Sequence, residues 1–147
     1  MNEQILANIK AIMTNTSLSE LFYETVLERL VSFGYNSKEG DAWVICFSMQ
    51  KIENHIKNYC NIASVPDGLF NIAVDMVCGD FLFTQKNTGN LELTDLDLDG
   101  AISSIKEGDT QVNFGSGSSD EDKLIDLINY LLNNGSGELL CYRKIRW

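Results

Sequence analysis

The only proline of the chain, Pro66, separates two stretches of helical periodicity. Before it, apolar side chains recur every three or four residues between polar ones, and the apolar set is Ile45, Met49, Ile52, Ile56 and Tyr59. Proline disfavours helical geometry at the residue before it and suits the first turn of a helix. One long helix must therefore end before Val65, and a second runs from about residue 67 to residue 83. The sequence predicts two helices joined by a rigid elbow.

The remaining periodic segments predict further helices. One is expected at residues 3–13 and another at residues 120–134. Ser17, with Glu20 at the spacing of a capping box, is the expected N-cap of the second helix, and Asp41 is placed to cap the long one. The fold class expected from these elements is mainly α, a small helical bundle of about five helices with a short β-hairpin and an extended C-terminal tail.

The 147 residues are long enough for one domain with one core. We expect a helical bundle at residues 1–88, a loop and hairpin at residues 89–117, and a last helix with a C-terminal extension at residues 118–147. The composition changes at these boundaries, where glycine and serine become frequent.

Residues 101–114, AISSIKEGDTQVNF, combine a turn signal with strand-favouring side chains. The turn is Glu107-Gly108-Asp109, and the strand-favouring residues around it are Ile105, Val112 and Phe114. A lone hairpin is marginal in water, so we expect a neighbouring chain to complete it.

The last six residues, YRKIRW, form a short apolar and basic extension. Aromatic residues and arginine concentrate binding energy at interfaces, and the extension supplies them at Tyr142, Arg143, Arg146 and Trp147. Because so short a segment cannot cover its own apolar groups, we expect it to pack mostly on other chains, as the hairpin does.

The net charge of −10 is concentrated in residues 92–122, which hold nine acids and only one base, Lys106. Phosphate neutralisation needs clustered lysine and arginine, which argues against free nucleic acid as the main ligand. There is no run of about 18 apolar residues, and the N-terminus lacks the pattern of a signal peptide. We expect a protein made in the cytosol, with no membrane partner.

Patterns that would indicate catalysis or metal binding are incomplete. Residues 95–100, DLDLDG, match the opening of a calcium loop, but position 12 is Lys106 where a bidentate glutamate is needed. His55 is the only histidine, and the four cysteines show no CxxC spacing. The serines lack a nucleophile elbow, and no glycine-rich segment has a lysine placed to cradle phosphate. We expect no catalytic activity, no cofactor and no metal, with a small calcium-binding module as the alternative.

Two charged residues fall on apolar helix faces. Arg29 lies in the apolar arc of the second helix, and Asp80 lies in that of the helix after Pro66. An unpaired buried charge costs several kcal/mol, so the two are expected to meet as a bidentate pair, within one chain or between chains.

Three segments, taken in order, resemble the small head-to-tail connector (adaptor) proteins of long-tailed bacteriophages and prophages. They are NYCNIASVPDGL at residues 58–69, AISSIKEGDTQVNF at residues 101–114, and YRKIRW at residues 142–147. The resemblance covers most of the chain. It implies a helical-bundle protein that assembles into a ring, commonly of twelve copies, with six also possible.

The resemblance also implies the partners of such a ring. It would lie below the portal protein, continue the DNA channel without sequence-specific binding, and present a platform to the next connector or tail-completion protein. The implied location is the virion, assembled in the bacterial host cytoplasm. Lys51 and Lys57 of the long helix are expected to pair with acids of residues 92–99 on a neighbouring copy. A collar or tail-end ring of a headless phage-tail-like particle and a small host-factor-binding module remain as alternatives.

Overall fold

The computed structural model describes residues 2–108 and 119–145, and within these ranges the chain is mainly helical, as predicted, and forms no strand. The helices are α1 (Asn2–Ile12), α2 (Glu20–Ser32), α3 (Asp41–Cys60), α4 (Phe70–Asn87), α5 (Leu98–Gly108), α6 (Asp120–Asn133) and α7 (Ser136–Cys141). Two 3₁₀ turns, at Asp67–Leu69 and Leu93–Asp95, precede α4 and α5.

The central element is α4, which packs against α2, α3 and α6. Its buried apolar side chains are Ala73, Val74, Met76, Val77, Cys78, Phe81 and Leu82. A helix that is apolar on most sides is stable only when other helices surround it. Gly79 lets α6 approach closely, since a Cβ at this position would lie 2.9 Å from the Cβ of Leu131. The position of α4 therefore determines where α2, α3 and α6 lie.

The elbow predicted at Pro66 is confirmed. α3 ends at Cys60, and Asn61 follows with a left-handed backbone at φ 57°. Pro66 then precedes a 3₁₀ turn, so that the α-helix itself begins at Phe70 rather than at residue 67. Leu69 is fully buried and anchors the elbow in the core.

The start of α2 lies two residues later than predicted. Ser19, not Ser17, is the N-cap, and its hydroxyl accepts a hydrogen bond from the backbone N–H of Phe22 at 3.2 Å. Ser17 and Thr16 instead donate hydrogen bonds to the buried carboxylate of Glu53 on α3. Burial alone would raise the pKa of Glu53, but these hydrogen bonds together lower it. A buried carboxylate needs hydrogen-bond donors, and Ser17 donates to Glu53 instead of capping α2.

Asp41 is the first residue of α3 rather than its N-cap. Its buried carboxylate accepts hydrogen bonds from the hydroxyl of Tyr35 at 2.6 Å and the side-chain amide of Gln85 at 3.1 Å. The backbone N–H of Lys38 donates a third at 2.8 Å. Burial and the bond to Asp41 raise the pKa of Tyr35, which keeps its hydroxyl a donor. This network joins the loop before α3 to α4.

The hairpin prediction is wrong for residues 101–108, which belong to α5. The helix buries Leu98, Ala101, Ile102 and Ile105, whose spacing is that of one helical face. Packing of this face on α6 outweighs the local turn signal, so Glu107 and Gly108 lie in the last turn of α5. Asp109, Val112 and Phe114 lie outside the described residues.

The predicted ion pair between Arg29 and Asp80 is not formed within the chain. Nε of Arg29 lies 2.9 Å from Oδ1 of Asp75. Asp80 instead accepts hydrogen bonds from Ser48 at 2.8 Å and from Lys51 at 3.0 Å, both on α3. Asp75 and Asp80 project from α4 at directions roughly 140° apart, so one faces α2 and the other faces α3. Burial raises the pKa of Asp75, and the guanidinium of Arg29 offsets part of that rise.

A double-mutant cycle tests this pairing. For Arg29→Ala and Asp75→Asn, we expect a coupling of about 1 kcal/mol or more in the free energy of unfolding, because the two groups are in direct contact. The matched cycle of Arg29→Ala with Asp80→Asn should couple by less than about 0.5 kcal/mol. Urea denaturation of the single and double variants gives both values. The opposite ranking would restore the pair predicted from the sequence.

Replacement of Glu53 by glutamine should lower the free energy of unfolding by about 1.5–3 kcal/mol at neutral pH, because hydrogen bonds to a charged acceptor are lost. The folded pKa of Glu53 lies below its ordinary value of 4.5. Its stabilisation is therefore complete above that value and is lost as the pH falls through the folded pKa.

Urea denaturation at a series of pH values should show the deficit of Glu53→Gln shrinking in acid. Glu28→Gln, at an exposed position of α2, is the control and should match the wild type throughout. A deficit that does not change with pH would show that the ionised carboxylate is not its source.

Candidate functional site

The C-terminal residues contact the elbow between α3 and α4. The backbone N–H of Lys144 donates to the carbonyl oxygen of Cys60 at 2.8 Å. In return, the side-chain amide of Asn61 donates to the carbonyl oxygen of Lys144, also at 2.8 Å. The last carbonyls of a helix have no partner within the helix, and the tail supplies one here. We call this contact the elbow–tail junction, formed by residues 59–69 and 139–145.

Side-chain contacts extend the junction on both sides. A Cβ at Gly68 would lie 1.8 Å from the hydroxyl oxygen of Tyr142, so the ring needs a glycine beneath it. The guanidinium of Arg143 lies over the ring of Tyr59, 5.1 Å from its centroid. Leu139 of α7 is buried, and its carbonyl oxygen accepts from the thiol of Cys60 at 3.4 Å.

The expectation that the C-terminal extension after Gly137 packs mostly on other chains stays a prediction, and the structure adds that residues 138–145 contact their own subunit. Their backbone and the side chain of Leu139 are held by their own subunit, because the end of α3 offers carbonyls and an apolar surface that local sequence reasoning does not locate. Of the predicted interface residues, Tyr142 and Arg143 lie at the junction. Arg146 and Trp147 lie outside the described residues.

Apolar and basic groups remain exposed on the outside of the junction. Leu140 and Ile145 are 56% and 76% exposed, and Arg143 and Lys144 are exposed beside them. Together with Asn61 they line a shallow open depression. We call Leu140, Arg143, Lys144 and Ile145 the tail surface. Glu107 is not part of it, since α5 packs on α6.

A second exposed surface follows the outer side of α3. Trp43 and Phe47 are 63% and 52% exposed, and their rings stack with centroids 5.5 Å apart. His55 and Tyr59 stack further along the helix at 6.0 Å, and Lys51 lies between the two pairs. We call these five residues the α3 stripe. No sequence-based prediction covers Trp43 or Phe47, although the four-residue spacing of aromatic rings on the polar face is visible in the sequence.

A third surface is acidic and lies where the first turns of α5 and α6 meet. Nζ of Lys123 lies 3.0 Å from Asp99 and 3.8 Å from Asp120, which joins the two helix starts. The hydrogen bond from Lys123 to Asp99 raises the pKa of the lysine. The acidic surface consists of the exposed side chains Glu92, Leu93, Asp97, Asp99, Asp120, Glu121, Asp122 and Ile125.

Two of the three acids of the calcium-loop pattern, Asp95 and Asp97, bind backbone N–H groups, and the third, Asp99, pairs with Lys123. The carboxylate of Asp97 accepts from the N–H of Gly100 at 3.1 Å and caps α5. Asp95 accepts from the N–H of Glu92 at 3.0 Å. Within residues 2–108 and 119–145, no group of three or more His, Cys, Asp or Glu side chains is placed to hold a metal ion.

The cysteines are free thiols, three of them buried and Cys141 exposed. Burial raises the pKa of Cys46 to about 11 and that of Cys78 further, which keeps both thiols protonated. Protonated, enclosed thiols are poor nucleophiles, and these two fill the core.

Comparison with protein-family models, curated proteins and solved structures finds no match to this chain. In the part of the chain that the structure describes, no helix is both long enough and apolar enough to cross a membrane.

Two variants of Asn61 test the elbow–tail junction. Asn61→Gly removes the hydrogen bond to Lys144 and lets the backbone adopt the left-handed conformation freely. Asn61→Ala removes the same hydrogen bond but keeps a Cβ at φ 57°, without the polar group that lets asparagine tolerate this conformation. We expect the alanine variant to be less stable than the glycine variant by about 1 kcal/mol in urea denaturation.

Both variants should also be cut faster by trypsin at Arg143 and Lys144, because the tail is released from α3. Asn71→Ala, at an exposed position of α4, is the control and should be cut at the wild-type rate. Unchanged cleavage in both Asn61 variants would contradict a tail held at the elbow.

Proposed function

We propose that this protein is a structural connector of bacteriophage or prophage particles, a ring subunit that joins head to tail and continues the DNA channel. The observation that carries the proposal is the elbow–tail junction. The first and third segments of the connector resemblance, residues 58–69 and 142–147, are far apart in the sequence, and their described parts are in direct contact. Two segments that resemble the connector family and also contact each other support a connector-like fold better than two motifs without contact do.

The distribution of exposed surfaces suits ring assembly. α4 packs against both α3 and α6, which make at most marginal contact with each other, so the α3 stripe and the acidic surface lie on different sides of the subunit. A cyclic ring needs two different, complementary faces on each copy. The α3 stripe and the acidic surface are the proposed pair, and a function that acts through interfaces needs no catalytic residue.

The tail surface is the proposed contact with a protein above or below the ring, such as a portal protein or the next connector. Because residues 138–145 are held by their own subunit, only outward side chains remain for a partner. In the described residues these are Leu140, Arg143 and Ile145. Arg146 and Trp147 follow them in the sequence. Aromatic and arginine side chains at the end of an anchored segment are suited to bind a groove in another protein.

The acidity of the subunit is compatible with DNA in transit. Acids that face a channel repel phosphates and let DNA slide, whereas clustered lysines would bind it. The proposed role is mechanical, in the virion, after assembly in the bacterial host cytoplasm. The same ring could serve a headless tail-like particle.

Native mass spectrometry of the purified full chain tests the proposal. We expect closed assemblies with a mass close to twelve times, or six times, the 16.5 kDa of one chain. Negative-stain images of the same sample should show rings with an open centre. A protein that stays monomeric or dimeric across a wide concentration range would contradict the connector proposal.

A further inference from the structure

The α3 stripe has the properties of an interface that lacks its partner. Trp43 and Phe47 are large and apolar, and each exposes more than half of its surface. Other side chains of this kind are buried in the core of the protein. Exposed aromatic pairs on a soluble domain indicate a binding surface, and tryptophan is the residue most enriched among binding hot spots. The other side of α3 is already packed against α1, α4 and α7.

Polar groups follow the aromatic pair along the stripe. Beside Phe47 is an open recess whose walls include the amides of Gln50, Asn54 and Asn58. Side-chain amides donate hydrogen bonds and can therefore bind carboxylates. Lys51 borders the same recess, but its ammonium is already bound to Asp80 and supplies little free charge.

Free positive charge is found at the C-terminal end of the stripe. Arg143 lies over the ring of Tyr59, the last residue of the stripe. Lys144 is exposed next to them. The stripe is thus apolar at one end and basic at the other.

The acidic surface has the complementary composition. It contains the exposed aliphatic side chains Leu93 and Ile125 among six carboxylates, with Lys123 as a base inside it. Its aliphatic groups match the rings of Trp43 and Phe47, and its carboxylates match Arg143, Lys144 and the recess amides. Electrostatic complementarity of this kind selects a partner and its register.

We propose that the α3 stripe binds the acidic surface of a second copy of this chain. The inference rests on the proposed ring, for which it names the contact between neighbours. Because the stripe and the acidic surface lie on different sides of the subunit, the contact is heterologous, and each bound pair still presents one free stripe and one free acidic surface. Repetition of the contact closes a ring or extends a chain, whereas a two-fold dimer does not satisfy it.

Three variants test the inference. The stripe variant carries Trp43→Ala and Phe47→Ala. The acid variant carries Glu121→Gln, Asp122→Asn and Ile125→Ala, which spares the Ser119 cap of α6 and the Lys123 contacts. The control variant carries Leu21→Ala and Val31→Ala, two apolar residues of α2 that are also exposed. Circular dichroism confirms the helical content of each before assembly is measured.

Native mass spectrometry and analytical ultracentrifugation should give assemblies for the wild type and the control variant, and monomers for the stripe and acid variants. We expect the dissociation constant between copies to rise by roughly a hundredfold or more in each of the latter two. An equimolar mixture of stripe and acid variants should form a one-to-one heterodimer, because each supplies one intact face. Should the stripe variant lose its fold, the acid variant, whose stripe is intact, decides the test.

The fluorescence of Trp43 gives a second readout. In a Trp147→Phe background it is the only tryptophan, and its emission should shift to the blue as the protein concentration rises through assembly. Because charges contribute to the contact, added salt should weaken assembly and reverse the shift. Emission that does not change between monomer and assembly would overturn the inference.

The remaining outcomes separate the two proposals. Rings that survive in the stripe and acid variants would overturn the inference and leave the connector proposal standing. Open chains or other assemblies that depend on the stripe, without rings, would support the inference and contradict the connector proposal. A wild type that is monomeric at all concentrations would overturn both. Saturable binding of a single-stranded oligonucleotide by the wild type, lost in the stripe variant, would assign the stripe to nucleic acid instead.

Discussion

α4 carries apolar side chains around most of its circumference, and α2, α3 and α6 must each cover part of it. That requirement brings the carboxylates of α4 against other helices, where a charge needs a partner. Asp75 obtains Arg29 from α2, and Asp80 obtains Ser48 and Lys51 from α3. Each pairing fixes the rotation of one neighbouring helix about its own axis, so a small number of polar contacts gives a mainly apolar core a unique arrangement.

Sequence reasoning succeeded where the determinant is local. Pro66 keeps the chain out of helical geometry between α3, which ends at Cys60, and α4, which begins at Phe70. Reasoning failed where two local signals competed or where the partner is distant. At α5, the turn signal predicts a hairpin, whereas the spacing of the apolar residues is helical. The side chain of Asn61 binds a carbonyl oxygen 83 residues away, which no local pattern indicates. The helical periodicity places Arg29 on a buried face of α2. Periodicity alone does not tell which carboxylate of α4, Asp75 or Asp80, lies opposite Arg29.

The charged residues fall into two groups with different roles. Acids at helix starts, such as Asp97, satisfy backbone N–H groups and complement the helix dipole, and they therefore support the fold itself. Basic residues are gathered at the far end of α3 and in the tail, where few acids oppose them. The resulting asymmetry is a property of the whole subunit. In the proposed contact between copies, this asymmetry would act before any apolar contact is made, since charge acts over a longer range than packing does.

The attachment of the tail to the end of α3 has a mechanical consequence. α3 has 20 residues and is about 30 Å long, and the backbone of Lys144 is hydrogen-bonded at its last turn. Tension applied to the C-terminus is therefore taken up first by hydrogen bonds at that turn. From there it passes along a continuous helix, which is stiff in the axial direction. A load on the last residues would reach the outer face of the subunit without first unfolding a loop.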